Sequence, residues 1–343
     1  MSEVAMGRAR TGWRDRLGAA GTAEAAPDTR RMLQLGLAAI WLLDGVLQYQ
    51  SFMFTKAFTQ MIGATAAGNP RLIAGRITWN ANLVEHHLVL VNATFATIQL
   101  LLGLGIAYRR TVRLALAASI VWALGVWWFG EGLGGVLSGA ADPVSGAPGA
   151  VIIYALLAAL LWPSDRLVVS GAPAPFVAAR AVGAQVARAL WLVLWGSLAY
   201  FALTPANRAP QALHDMIVTM ASGEPGWLAA LDRHAAALVA HQGLAASIVL
   251  AAALAIVAVG VYLPPRMARA TLVLAIVVAA VIWVVGEAFG TILTGGGTDP
   301  NSGPPLALLA LAYWPLATVT TANGAVPRAG RSLIDERPEG ITA

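Results

Sequence analysis

The chain has 343 residues, of which 58% are hydrophobic and 11% charged, with a mean hydropathy of +0.69 and a formal net charge of +5. Soluble domains carry about a quarter charged residues, so this composition excludes an ordinary soluble protein and makes the lipid bilayer the chain's main partner. The absence of cysteine excludes disulfides, thiolate metal sites and thiol catalysis. The basic residues fall beside apolar runs rather than in a patch interleaved with aromatics, which argues against nucleic acid.

In chain order, residues 1–31 hold six arginines and no apolar core, and read as a cytoplasmic basic tail rather than a cleaved signal peptide. A first four-helix repeat follows at 32–163, with apolar spans near 32–50, 88–107, 114–137 and 147–162. Between its first two spans Phe52, Phe54, Phe58, Met61 and Ile62 alternate with polar residues, as in a short amphipathic helix lying in the outer interface. A Gly/Pro-containing cytoplasmic linker, 164–188, leads to a second repeat at 189–321, with spans near 189–203, 243–263, 270–293 and 304–321. Residues 322–343 form a second cytoplasmic tail. Trp79 and Trp227 are placed to anchor the two outer segments, which together predict a cap on the outer face.

The predicted fold class is therefore all-α integral membrane: eight transmembrane helices as two parallel four-helix repeats, with short amphipathic outer-face helices. With the N-terminus inside, 17 of the 22 basic residues fall on the cytoplasmic side, so both termini are expected there. The Ala/Arg/Gly-rich usage points to a high-GC bacterium and hence to a bacterial plasma membrane.

The repeats are recognised by a duplicated motif. Gly130-Glu131-Gly132-Leu133-Gly134 leads through Asp142-Pro143 and Ser145-Gly146 to Trp162-Pro163. Gly286-Glu287 and Gly290 lead through Asp299-Pro300 and Ser302-Gly303 to Trp314-Pro315. Arg110 and Arg113 match Arg266 and Arg269 at the same offset. An even number of spans per repeat gives both copies one orientation, hence a pseudo-twofold axis along the membrane normal.

A four-span unit with a long outer segment after span one, then Leu100-Leu101-Leu102-Gly103-Leu104-Gly105 running into Arg109-Arg110 and two more spans, resembles the DoxX/DoxD superfamily of bacterial membrane proteins. The resemblance implies a four-helix unit and a quinone-linked redox accessory role. The Gly-Glu-Gly and Asp-Pro signatures are not part of that resemblance.

Polar residues are costly in lipid, so their positions define the candidate site. Glu131 and Glu287 each lie 17 residues beyond a span's start, about 26 Å along a helix, and are expected at the outer edge of the hydrocarbon. Asp44, about 18 Å into span one, falls near the midplane. Glu85, Asn92 and Gln99 are spaced by seven, which predicts one polar stripe facing the bundle interior. The second repeat offers Trp195, Ile248 and Ala255 opposite Asp44, Asn92 and Gln99, so the polar interior is expected in the first repeat alone. The bland alternative assigns these groups to interhelical hydrogen bonds and the glycines to packing.

All five histidines fall in outer segments, where His86, His87 and His241 with nearby Met residues would suit a transition metal such as copper. Isolated interfacial histidines are common, and no tight His cluster is present. Nucleotide-binding, hydrolase and haem-attachment motifs are absent. Two classes remain. One is a protein that binds or passes a small ligand, proton or cation through an acidic, amide-lined pocket open to the outer face. The other is a quinone-linked redox accessory or oxidoreductase subunit, with a membrane assembly factor that recruits an extracytoplasmic or membrane protein partner as a third option.

Overall fold

The computed structural model describes residues 28–164 and 174–316; most of the basic tail, the middle of the linker and residues 317–343 lie outside the described residues. Every named element is helical, and the one isolated β-bridge among the described residues pairs Phe176 with Pro315.

Helix α1 spans Thr29–Leu47 and starts where the Asp28 carboxylate accepts the Arg31 N–H. Leu33, Leu37, Trp41 and Asp44, one turn apart, are its buried face. A 3-10 turn, Ser51–Phe54, leads to α2 (Lys56–Ala64) and α3 (Arg71–His86). These two helices enclose a small core of their own around Met53, Phe58, Ile62 and Ile77. The long apolar helices α4 (Leu88–Ala107) and α5 (Val112–Phe129) follow, then α6 (Ala150–Leu160).

The later elements come in the same succession. After the short α7 (Ala179–Val182) come α8 (Ala184–Ala202), α9 (Ala212–Met220), α10 (Gly226–Val239), α11 (Gly243–Gly260), α12 (Pro265–Val281) and α13 (Gly303–Ala312). Pro70 and Pro225 each stand at the N-cap of the third element of a set, where a missing N–H costs nothing.

Among the described residues, four helical stretches are long and apolar enough to cross a membrane: Leu88–Ala107, Val112–Phe129, Gly243–Gly260 and Pro265–Gly286. Their outward faces fit contact with lipid. α6 and α13 are apolar but only 11 and 10 residues long. At about 1.5 Å per residue they reach through half of a hydrocarbon layer about 30 Å thick.

The expected ends need three corrections. The spans placed at 114–137 and 270–293 stop being α-helical at Phe129 and Val281. Beyond them Leu133 and Gly134, and Phe289, Gly290 and Thr291, take left-handed backbone that no right-handed helix accommodates. α8 begins at Ala184 rather than 189. The end of the expected linker packs against α13: Ala178 N–H donates to the Ala312 carbonyl at 2.9 Å, and Phe176 stacks on Tyr313.

α1 packs along α4 and α8 along α11, while α5 pairs with α6 and α12 with α13. One apolar core runs through all of them, with Trp41, Tyr154, Trp191, Trp195 and Tyr313 wholly enclosed. Polar ties cross between the two sets. Gln50 donates to the Gly297 carbonyl at 3.3 Å, and Asn207 donates to the Ala141 carbonyl at 2.9 Å.

Candidate functional site

Two similar turns bring the paired glutamates inward. The Glu131 N–H is accepted by Val126 O and the Glu287 N–H by Ile282 O, each five residues back, so each helix widens by one residue as it ends. Residues Ile282–Gly286 form a π-helical turn. The chain then reverses through left-handed glycines; a Cβ on Gly134 would collide with the Pro148 carbonyl, and one on Gly290 with the Asp299 carbonyl. Each Asp-Pro pair closes the following turn in the same way. Asp142 accepts the Val144 N–H at 2.9 Å and Asp299 the Asn301 N–H at 2.7 Å, while Thr298 donates its hydroxyl to the other Asp299 oxygen.

The glutamates end in different states. Glu287 is buried and fully occupied: one oxygen takes the N–H and hydroxyl of Ser302, the other the Gly303 N–H at 3.1 Å. That is a carboxylate seated on the N-terminus of α13. The N-cap of α6 is Gly149, four residues beyond the Ser145 that the motif pairs with Ser302; it has no hydroxyl to give, and a Cβ there would collide with the Glu131 carboxylate. Glu131 receives a backbone hydrogen bond from Val151, but its Oε2 is buried with no partner.

Around Glu131 lies a chamber of about 1280 Å³. Among the described residues its wall contains four carboxyls, Glu131, Asp142, Glu287 and Asp299, and no lysine, arginine or histidine. Neutral polar groups join them from Gln48, Asn80, Gln99 and Asn301. The remaining wall is aromatic and aliphatic, notably Trp79, Phe95, Trp122 and Phe129. Asp299 shares this wall with Glu131, Asp142 and Glu287. Among the described residues, the ion pairs are Lys56 with Glu85 and His214 with Asp215, and neither touches this cluster.

Sequence-expected residues divide into those the chamber gathers and those it does not. Asp44 is buried beside the Tyr154 hydroxyl, just behind the wall, and one of its oxygens has no partner. Asn92 is fully enclosed, donating to the Gln48 backbone while accepting from the Gln48 amide. Gln99 borders the chamber with its buried oxygen unpartnered. Glu85 is a correction: His87, at φ −130°, breaks the helix between α3 and α4, so the seven-residue spacing spans a bend. The Glu85 side chain is 43% exposed and faces Lys56 at 3.5 Å, away from the stripe.

A second correction concerns the other half. Ile248 is 52% exposed, and the buried polar position on α11 is its neighbour Ser247, which donates to the Asn207 carbonyl at 2.9 Å. That half has thus kept one interior hydrogen bond where the sequence pairing showed none. The histidines are scattered. His86 contacts the Asn82 carbonyl and His241 contacts Gln211, and no group of three His, Cys, Asp or Glu is placed to hold a metal among the described residues.

Asp142 and Asp299 were legible only as turn residues, and their place in the chamber was missed. The duplicated Asp-Pro motif marked them, but nothing local says that a turn faces inward. The acidic pair of Glu224 and Asp232, just before and on α10, was also missed. Glu224 and Asp232 are buried there, with all four carboxyl oxygens unpartnered.

Burial lifts Asp232 from 3.8 to about 6, and burial together with Asp232 raises Glu224. Between those two values the folded state holds the Asp232 proton more tightly than the unfolded chain. The associated stability is full below about pH 4 and is lost as pH rises through about 6. Asp232→Asn should flatten the pH dependence of the thermal midpoint across that window and raise the midpoint at pH 7 by a few degrees. A variant whose midpoint keeps the wild-type pH slope would remove Asp232 as its source.

Comparison of the chain with protein-family models, with curated proteins and with solved structures found no match.

Proposed function

We propose that this is a polytopic membrane protein that binds, and on passage releases, a small positively charged ligand in the acidic chamber on its outer side. The observation that carries this reading is the wall itself: four carboxyls and no basic side chain around a space large enough for an organic molecule. Buried carboxylates without counter-charges are unfavourable unless they hold protons or a cation. Aromatic walls add the ring faces that favour ammonium groups. A metal ion alone would leave most of such a volume unfilled, so an organic cation suits the chamber better than copper.

The architecture that accompanies this reading has eight membrane-crossing segments in two parallel halves, both ends being cytoplasmic in a bacterial plasma membrane. It is supported by the recurring order of helices and by the reciprocal Gln50 and Asn207 bonds. α6 and α13 then cross as half-length helices completed by the inward-dipping segments before them.

Proton competition tests the function. Buried carboxyls without counter-charges hold either protons or a cation, so an arriving cation expels protons and its affinity rises with pH. Calorimetric titration of tetramethylammonium into the purified protein should show affinity rising by roughly tenfold from pH 5 to 7.5, with heats that vary with buffer ionisation enthalpy. Absence of binding, or pH-independent binding, would overturn the reading. A quinone co-purifying in stoichiometric amount and displaced by no cation would favour the redox accessory instead.

A further inference from the structure

The chamber is also built along the bilayer normal. On α5 its wall runs from Ala118 to Phe129, a length of about 17 Å, or roughly half the hydrocarbon thickness. The two ends differ in chemistry. Ile98, Leu102, Ala118 and Val121 make the deep end apolar, whereas the carboxyls and the Asn80 and Asn301 amides gather at the outer end. A space with an apolar shaft below an acidic head matches an amphiphile better than a compact cation.

The wall meets the surface on its lipid-facing flank. Val121 lines the chamber and is 73% exposed; Trp79, higher up, also lines it and is 57% exposed. Between these levels α5 stands opposite α3 and α4. At the outer end the two sides are joined by the Asn80 amide donating to the Phe129 carbonyl at 3.1 Å. At the cytoplasmic end α4 and α5 close up so far that a Cβ on Gly105 would stand 2.8 Å from that of Ala115. Across the stretch between, Phe95 and Trp122 touch edge to face, with ring centroids 5.3 Å apart. Gly125 lies on this stretch of wall, and a Cβ added there meets nothing within 4 Å.

Two polar atoms are stranded at the same depth. The Gln99 Oε1 and the Trp122 Nε1 are buried with no hydrogen-bond partner. In a purely apolar seam such groups are costly, and they become useful if a headgroup passes them.

From these features we propose that the seam between α4 and α5 is a lateral portal, through which a single-chain amphiphile with a cationic amine headgroup enters the chamber directly from the outer leaflet. The Phe95 and Trp122 rings part, their faces and the Gln99 oxygen receive the ammonium group, and Glu131 takes it at the outer end. The alkyl chain remains in the shaft beside Ile98, Leu102 and Val121. This inference rests on the cation reading, because the absence of basic residues in the wall is what selects an amine over an anionic headgroup.

The test uses full-length protein in phosphatidylcholine vesicles and two probes: an alkyl trimethylammonium brominated at the chain end, and tetramethylammonium, which has no chain. The bromine should quench tryptophan fluorescence as the chain settles beside Trp122, and tetramethylammonium should displace the probe. Gly125→Leu fills the open space in the seam and should slow quenching by roughly tenfold or more, while slowing tetramethylammonium arrival far less. Gly125→Val, a smaller filling of the same open space, should act alike if Gly125→Leu fails to fold. Equal slowing of both probes, or none, would overturn the portal while leaving cation binding intact. Failure of tetramethylammonium to bind the wild-type protein would remove the cation reading and the portal with it, whereas failure of the alkyl trimethylammonium alone would remove the portal only.

Discussion

Glu131→Gln is expected to weaken cation binding by at least about 100-fold with the folded protein retained, the largest functional effect of any single change in this chain. Glutamine keeps the volume of the side chain and can still accept the Val151 N–H. What disappears is the charge on Oε2, the carboxylate oxygen that the fold leaves buried without a partner. The other wall carboxyls are engaged by their own turns: Asp142 and Asp299 each accept a backbone N–H, and Glu287 is held by Ser302 and Gly303. They add negative field, but Glu131 has the open acceptor. Titration of tetramethylammonium into wild type and variant at pH 7.5, with thermal midpoints on the same samples, reads the effect. Binding within about twofold of wild type would take Glu131 out of the site.

The legible part of this molecule was its periodic part. Span two was expected at 88–107 and α4 occupies Leu88–Ala107, because a long apolar run bounded by polar residues has one economical conformation in lipid. The recurrence of Gly-Glu and Asp-Pro located both inward turns. Their interior was illegible, since Asp299 meets Asp44 and Glu131 only after some 170 to 250 intervening residues have folded. Helical spacing also misled where the helix was not continuous: Glu85 and Asn92 are seven apart, but the bend at His87 turns Glu85 towards Lys56. The divergence between the halves was visible in sequence at Asn92 and hidden at the glutamates, where the deciding difference is Gly149 against Ser302.

That difference carries a prediction about stability. Glu287→Ala should lower the thermal midpoint by on the order of 10 °C, with Glu131→Ala much less damaging. The Glu287 carboxylate receives three hydrogen bonds, from the Ser302 N–H, the Ser302 hydroxyl and the Gly303 N–H. Hydrogen bonds to a charged group contribute about 1.5–3 kcal/mol each, and removing the acceptor strands donors that no water reaches. Both turns that hold α13 in place depend on it: the π-helical exit of α12 before it and the Asp299 turn after it. Glu287→Gln should recover part of the loss, since its remaining oxygen can still serve Ser302 while its amide opposes the Gly303 N–H. Cation affinity in the surviving folded fraction should fall less than in Glu131→Gln, because Glu287 has no spare acceptor to give a ligand. A midpoint within about 2 °C of wild type in Glu287→Ala would show that the clamp does not hold the second half together, and the reading of one duplicated carboxylate kept for structure and its twin released for binding would fall.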